Sequence, residues 1–482
     1  MPVNKNTDKT MALGGLHYQV PITKNIYGGT NVHAALFGDQ GGLFALGLEL
    51  GTFQKIHSNL YLDANINFGG GGGYRNLINK GAFVNPNIGI AYHFPKLHLG
   101  VQFSHFNFYT GSIKSNALSF YVEVPTNLVV STYSSRNKIV SVAKNTAPKS
   151  KVKRSAFVIK LDQYFPFGKT RKDAEQHNEL LRNTLNLVGF EYQKYINYNS
   201  FLFLHTDAMY KGLVAGFMDV FGGIGYEPVQ NKHISIFTKL GIGAAGGRIR
   251  AEGGATIYPS FGIDYHLTKK TSLFAHAGYT RALDGFFEAY TLGGGIKFNS
   301  FSSGRINNYT AQKPTKIKTT GVRISLQHQT YFKLSRMIRE PLDLHLLALQ
   351  VNYDINTYLY LVGQAAFAYE STYKGTDKQS ELGAGGYADG MVGFGFYSPI
   401  FAKEKIQLFT ELLTGAGGGA GIDTGEGIII KAKIGGYVRL NDQLSIIASA
   451  GKVVSPSFNI NSNNINIGLS VDFSSLSSLF NK

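Results

Sequence analysis

Residues 59–73 read NLYLDANINFGGGGG, and the chain writes this pattern three times. It returns at 233–247 as HISIFTKLGIGAAGG and at 405–419 as KIQLFTELLTGAGGG. In each copy apolar and polar residues alternate over about ten positions, the period of a strand with two unlike faces. A glycine cluster follows, which reads as a loop where the backbone bends with no Cβ in the way. The second and third copies also share side chains at matched positions: Ile234 and Ile406, Phe237 and Phe409, Thr238 and Thr410, Leu240 and Leu412.

Working outward from these copies gives a unit of eight strands. In the second repeat the alternation predicts strands near 155–165, 183–197, 200–211, 213–227, 232–243, 254–267, 272–283 and 289–299. The third repeat follows at 321–332, 342–355, 357–370, 384–399, 404–415, 427–440, 444–454 and 463–474. These segments are longer than the five or six residues usual in soluble sheets and suit a tilted membrane crossing. Connections alternate in length: 354–357, 399–404 and 441–443 are tight, whereas 371–382, 415–427 and 455–462 are long. Short turns at one end and long loops at the other are the layout of outer-membrane barrels.

The first repeat is shorter. LGGLHYQ at 13–19 matches LVGFEYQ at 187–193, which sets the first recognisable strand opposite the second strand of repeat two. Seven strands follow, near 13–22, 30–37, 42–53, 59–68, 82–94, 97–108 and 116–126, and the first strand of the unit is missing. The division is therefore 1–127 for repeat one, 128–154 for a Lys/Ser-rich linker, 155–299 for repeat two, 300–320 for a Lys/Thr-rich linker and 321–482 for repeat three. Both linkers read as flexible, and 170–182, TRKDAEQHNELLR, reads as an exposed helix on a long loop. The polar start, MPVNKNTDKT, contains no signal peptide; the expectation is that sequence ahead of Met1, with a signal peptide and the first strand, has been lost, and the alternative is evolutionary loss of that strand.

Composition narrows the class. Of 482 residues, 58 are Gly, 34 Phe and 28 Tyr, with no Trp and only 16% charged. Mean hydropathy is -0.07 and no run of eighteen apolar residues occurs, which excludes an ordinary spanning helix but not a barrel, whose strands are apolar on one face only. The absence of cysteine excludes disulfides, thiolate metal sites and a cysteine nucleophile. The formal charge of +17 is scattered and partly gathered in the linkers, with no basic helix or aromatic RNA-binding signature, so nucleic acid is not an expected partner.

The two faces of each strand carry the functional expectation. Leu60, Leu62, Ala64, Ile66 and Phe68 share one face, and Tyr61, Asp63, Asn65 and Asn67 the other. Matched polar positions vary in charge between repeats: Asn65, Lys239 and Glu411 form one set, and Glu123, Lys297 and Asp472 another. In a barrel facing lipid these six side chains point into the lumen. Catalytic, cofactor and metal sites are not expected. GIGAAG at 241–246 fits a dinucleotide fingerprint but lacks the helix that motif needs, and the 13 histidines do not have ligand-pair spacing. FSHFNFYTGS around His105 resembles the His-x-Ser pattern of outer-membrane lipid A deacylase barrels, with Asn107 where the nucleophile would stand.

Over nearly its whole length the chain resembles Gram-negative outer-membrane β-barrel proteins as a class, in strand length, alternation, loop asymmetry and the aromatic-bearing final strand NINIGLSVDF. That resemblance implies an all-β, antiparallel transmembrane barrel in the cell outer membrane. Its expected partners are outer-membrane lipid and other envelope proteins, met through the long loops and basic linkers. One large barrel of about 23–24 strands is favoured, because neighbouring repeats would supply the edge that repeat one lacks; tethered eight-stranded barrels are the alternative. The expected function is porin-like passage of small solutes, with a non-conducting structural or assembly component of an outer-membrane complex as its rival.

Overall fold

Tight reversals fix the register of the sheets, and several use one device. The side chain of Asn197 accepts hydrogen bonds from the backbone N–H groups of Asn199 and Ser200 at 2.9 and 2.7 Å. Asn231, Asn356 and Asn441 repeat the arrangement with the residues two and three positions on. An asparagine that closes its own turn leaves the following residue ready to enter a strand.

The computed structural model describes residues 2–4, 7–38, 42–73, 75–95, 97–125, 130–141, 153–172, 179–213, 216–247, 249, 253–268, 271–302, 316–402, 405–456 and 459–475. A small hairpin, β1 (Pro2–Asn4) and β2 (Thr7–Thr10), precedes the first unit. Unit 1 contains β3 (Ala12–Pro21), β4 (Ile26–Phe37), β5 (Phe44–His57), β6 (Leu60–Gly72), β7 (Ala82–His93), β8 (His98–Phe108) and β9 (Lys114–Glu123). After β10 (Val130–Thr132) and β11 (Ile139–Ser141), unit 2 contains β12 (Lys153–Pro166), β13 (Leu185–Tyr195), β14 (Ser200–Lys211), β15 (Phe217–Gln230), β16 (Ile234–Gly247), β17 (Ala255–His266), β18 (Thr271–Ala282) and β19 (Glu288–Ser302). Then β20 (Lys316–Lys318) leads into unit 3: β21 (Thr320–Leu334), β22 (Leu342–Asp354), β23 (Leu359–Thr372), β24 (Ala388–Tyr397), β25 (Ile406–Gly418), β26 (Ile428–Arg439), β27 (Leu444–Val454) and β28 (Asn461–Ser475).

All pairings are antiparallel, and the fold is all-β. Unit 2 closes on itself through β12 and β19, from Lys153 opposite Ser302 to Pro166 opposite Ala289. Unit 3 closes through β21 and β28, from Thr320 opposite Ser475 to Tyr331 opposite Asn464. Unit 1 is a seven-stranded open sheet whose outer strands, β3 and β9, do not pair. This corrects the favoured closure: the architecture is two closed eight-stranded barrels and a half-barrel, not one large barrel of about 23–24 strands. Backbone groups on the first and last strands of units 2 and 3 are satisfied within each unit, so neither closed unit needs its neighbour's edge.

The glycine clusters are also corrected. They are strand rather than loop, since β6, β16 and β25 run through Gly72, Gly247 and Gly418. Their small size serves a close approach between units. A Cβ on Gly42, in the loop after β4, would stand 2.9 Å from the backbone N of Gly247. In the equivalent loops a Cβ on Gly386 of unit 3 would stand 3.1 Å from Gly73 N, and one on Gly216 of unit 2 would stand 4.0 Å from Gly419 N, an ordinary contact. All six of these glycines have φ between 91° and 129°, where a side chain is strained. Each unit thus meets the next through one glycine pair, and the three contacts form a closed cycle with pseudo-threefold order. Unit 1 and unit 3 are joined further by Gly385 N–H to Asn79 O at 2.9 Å and by Lys80 to Glu370 at 2.7 Å.

Parts of the linkers are ordered, against the expectation of flexibility. β10 adds to the edge of β28, and β11 pairs with β20, tying the first linker to the second. The linker residues 142–152 and 303–315 lie outside the described set. Part of the expected helix at 170–182 lies outside it as well; its two ends form a β-bridge, Arg171 with Leu180.

Candidate functional site

Exposed and buried residues are inverted relative to a soluble sheet. Leu161, Leu202, Ile224, Leu240, Phe261 and Leu292 are exposed on the outside of unit 2, while Lys160, Asp162, Glu191, His205, Asp207 and Asp219 are each 1% exposed or less inside it. An apolar exterior around a polar interior is the signature of a transmembrane barrel. The interiors are therefore where function has to be sought.

Inside unit 2 the ammonium of Lys160 is the hub. It lies 2.7 Å from Asp162 Oδ2, 2.8 Å from Asp207 Oδ2 and 2.8 Å from His205 Nε2. Strand alternation puts Lys160, Asp162 and Tyr164 on one inward row of β12, and His205 and Asp207 on one row of β14. His276, on β18 and one strand beyond β19, reaches Asp162 at 2.9 Å, and Tyr164 donates to Asp219 at 2.8 Å. Nearer the short-turn end, Lys239 pairs with Glu191 at 2.7 Å. Lys297 reaches Asp264 at 2.8 Å and Glu227 at 3.3 Å. Arg154 also meets Glu227, at 3.0 Å, and Tyr195 donates to the same carboxylate. These contacts span the lumen from wall to wall, which is how a buried charge is made tolerable.

Unit 3 is filled by a mixed set. Lys433 pairs with Glu411 at 2.8 Å, and Glu411 also accepts from Tyr360 at 2.8 Å and Gln350 at 3.0 Å. Lys431 donates to Gln364 at 2.6 Å and Gln329 at 3.2 Å. The short-turn mouth is stopped from outside the barrel wall. Tyr133, in the turn after β10, is 0% exposed; its hydroxyl lies 3.4 Å from Asp354, and the guanidinium of Arg323 sits 4.4 Å from its ring centre. Arg136 approaches Asp354 at 3.6 Å. A linker with a polar composition thus supplies an aromatic plug.

Among its described residues unit 1 buries no lysine or arginine, and asparagine amides, tyrosines and histidines take their place. Asn31 donates to Asn67 at 2.7 Å, Asn67 to Asn65 at 3.3 Å and Asn87 to Asn65 at 2.7 Å. Asp63 accepts from Tyr27 at 2.7 Å and from Tyr121 at 2.6 Å. Glu49 faces His17 at 2.6 Å and accepts from Gln19 at 2.9 Å.

Of the six residues expected in the lumen, Asn65, Lys239, Lys297, Glu411 and Asp472 are buried, and Glu123, on the edge strand of the open sheet, is half-buried. Asn65 belongs to the amide ladder, and Lys239, Lys297 and Glu411 to the ion pairs above. Glu123 lies 3.2 Å from His98. Asp472 accepts from Ser445 at 2.7 Å and Ser470 at 2.6 Å, with Arg323 at 3.4 Å. They do not converge: two sit in each unit, and matched positions take different partners. Sequence reasoning missed the Lys160 hub and the Tyr133 plug. The hub had a local signal, since charged residues two apart on a strand share a face, but the plug had none.

Asp162, His205 and Asp207 place potential ligand atoms within 4.8 Å of one another, yet Lys160 Nζ holds the centre of the group. A divalent cation would have to displace that ammonium, so the donor set fits lysine and not a metal. Gly241–Gly246 lie within β16, not in a phosphate-binding turn. His105 faces outward and contacts Asn116 at 2.7 Å, away from the lumen.

No protein family model and no curated protein matches the chain. Among solved structures it is similar to a ferric enterobactin receptor mutant, PfeA of Pseudomonas aeruginosa (8% identity, 96% of this chain and 79% of that one, TM-score 0.30). It is also similar to OccK8 (OprE) of Pseudomonas aeruginosa (9%, 97% and 98%, TM-score 0.25). A third is Ail, the attachment invasion locus protein of Yersinia pestis (13%, 31% and 99%, TM-score 0.21). TM-scores this low carry no argument, and the barrel assignment stands on the chain's own pairings and faces.

Proposed function

We propose that this chain is a non-conducting outer-membrane protein, a structural or assembly component that works through its outer surface, loops and linkers. The observation that carries this reading is the filling of both closed lumens. Eight strands enclose a space that side chains can fill, and the Lys160 hub and the Lys433–Glu411 pair occupy it with groups at most 4% exposed. A solute passing through unit 2 would have to separate bonded charges held in a buried interior. In unit 3 it would also have to expel Tyr133.

In this reading outer-membrane lipid surrounds the apolar bands. Envelope proteins are the partners, met by the long loops and the basic linkers, and no catalytic or nucleic-acid role is assigned. Planar-bilayer recording tests it. Protein whose gel mobility shifts on heating, the mark of a folded barrel, is expected to give no stepwise conductance. Discrete channel openings would overturn the proposal and restore porin-like passage of small solutes.

A further inference from the structure

We propose that the three units border an apolar vestibule on their pseudo-threefold axis, and that it binds an anionic phospholipid, acyl chains between the units and phosphate among lysines at the short-turn end. The inference rests on the membrane placement alone and holds whether or not the lumens conduct. Topology places the vestibule. β4, β14 and β23 meet one neighbouring unit, and β6, β16 and β25 meet the other. β5, β15 and β24 lie between those strands in their sheets, so their outward faces turn to the axis. The contacts between units lie at the long-loop end, where Gly253 packs on Phe37, Gly427 on Met209 and Gly70 on Ala368.

Exposure along the axis-facing strands follows. Leu46, Leu48, Val220 and Val392, nearer the long loops, are half-buried, whereas Leu50, Ile224 and Phe394, nearer the short turns, are 50%, 60% and 55% exposed. The units therefore touch at one end and stand apart at the other. Gly222 on β15 and Gly390 on β24 also face outward, since they alternate with the buried Phe221 and Met391. A Cβ on either would have nothing within 4 Å, so open space reaches toward the contacts. Apolar walls at this depth in a bilayer favour acyl chains over water.

Charge selects the headgroup. A lysine stands at the reversal that ends each axis-facing strand: Lys55 on β5, Lys232 between β15 and β16, and Lys405 just before β25, all exposed. Residues 403–404 lie outside the described set. The reversals leading into β4, β14 and β23 do not repeat this, for only the first holds a base, Lys24. The reversal between β26 and β27 carries an acid, Asp442. Basic clusters at a membrane surface, next to an apolar crevice, recognise anionic lipid phosphate.

The chain contains no tryptophan, so a single introduced indole reports the lipid beside it. Phe394→Trp places the reporter on the axis, and Leu273→Trp places one on the outer face of β18, away from it. The full-length protein is reconstituted in phosphatidylcholine vesicles in which a rising fraction is replaced by brominated phosphatidylglycerol or by brominated phosphatidylcholine. Expected for Phe394→Trp is half-maximal quenching at a several-fold lower fraction of the phosphatidylglycerol, and for Leu273→Trp no difference between the lipids. Adding Lys55→Gln, Lys232→Gln and Lys405→Gln is expected to abolish the axial preference, while Lys24→Gln leaves it. Ile224→Trp replaces Phe394→Trp should that variant lose its heat-dependent gel shift. Equal quenching by the two lipids on the axis means ordinary boundary lipid and overturns the site. Quenching by neither there, with Leu273→Trp quenched as expected, means that lipid does not enter and also overturns it. A preference that survives the triple substitution overturns the assignment of the phosphate to the lysines. Absence of quenching at both reporters, in protein that does not shift on heating, would instead sink the membrane placement.

Discussion

Units 1 and 2 share a strand plan, and their interiors are held by different chemistry. Unit 2 is closed and lined by ion pairs that cross its lumen; unit 1 is open and lined by an asparagine ladder with three carboxylates, Glu49, Asp63 and Glu123, that meet hydroxyl, amide and imidazole groups. Closure explains the difference. In a complete barrel a buried charge has walls on every side from which a partner can reach it, as Asp162 on β12 meets His276 on β18. Beside an open seam the same charge would face lipid, where an unpaired ion is costly. Amides lose less there because each can satisfy its neighbour along the sheet, as Asn87 does with Asn65.

The sharpest way to break the comparison is Lys160→Met. It leaves Asp162, Asp207 and His205 around an apolar side chain, and removing one partner of a buried charge network costs about 3–5 kcal/mol. Unit 2 is expected to unfold at distinctly lower urea or temperature, read by the heat-dependent gel shift, with units 1 and 3 unchanged. A loss under about 1 kcal/mol would show that the hub behaves like a surface ion pair.

The corresponding change in unit 1, Asp63→Asn, is expected to cost less, about 1–3 kcal/mol. The amide oxygen still accepts one hydrogen bond, from Tyr27 or Tyr121, while its NH2 group faces the other hydroxyl. Loss of stability as large as that of Lys160→Met would mean that unit 1 depends on buried charge as strongly as unit 2 does. Both variants belong in one unfolding series, since the claim concerns their ranking.

Much of this architecture is legible in the sequence because alternation is local. The alternation in unit 2 predicts strands at 200–211 and 272–283, within a residue of Ser200–Lys211 and Thr271–Ala282, and the buried polar rows follow from the same parity. Closure is not local. Whether β19 returns to β12 or pairs with the next unit depends on contacts between residues more than a hundred positions apart, and no alternation pattern encodes that choice. Glycine misled for a related reason: it marks both turns and close backbone approaches, and only the neighbour tells which. The plug was hidden by composition, since Tyr133 and Arg136 sit in a segment whose Lys, Ser and Thr content resembles that of a flexible tether.

The smallest expected effect within any one unit, and the most informative about their assembly, comes from Gly70→Ala in the run NLYLDANINFGGGGG. Gly70 lies in β6, and a Cβ there would stand 2.4 Å from the carbonyl oxygen of Ala368 and 3.0 Å from its carbon, both backbone atoms of unit 3. Backbone held in a closed barrel cannot yield by the several tenths of an ångström required, so the strain falls on the contact between units. Alanine is otherwise acceptable, because Gly70 is not among the glycines with positive φ and alanine occurs in other strands of the same sheet. The barrel of unit 3 is therefore expected to keep its unfolding midpoint within about 0.5 kcal/mol, while the salt bridge from Lys80 to Glu370 beside the contact opens. Disulfide trapping between Lys80→Cys and Glu370→Cys measures this directly. The trapped fraction should fall several-fold when Gly70→Ala is added, and an unchanged yield would mean that the glycine run serves the strand alone and not the meeting of units 1 and 3.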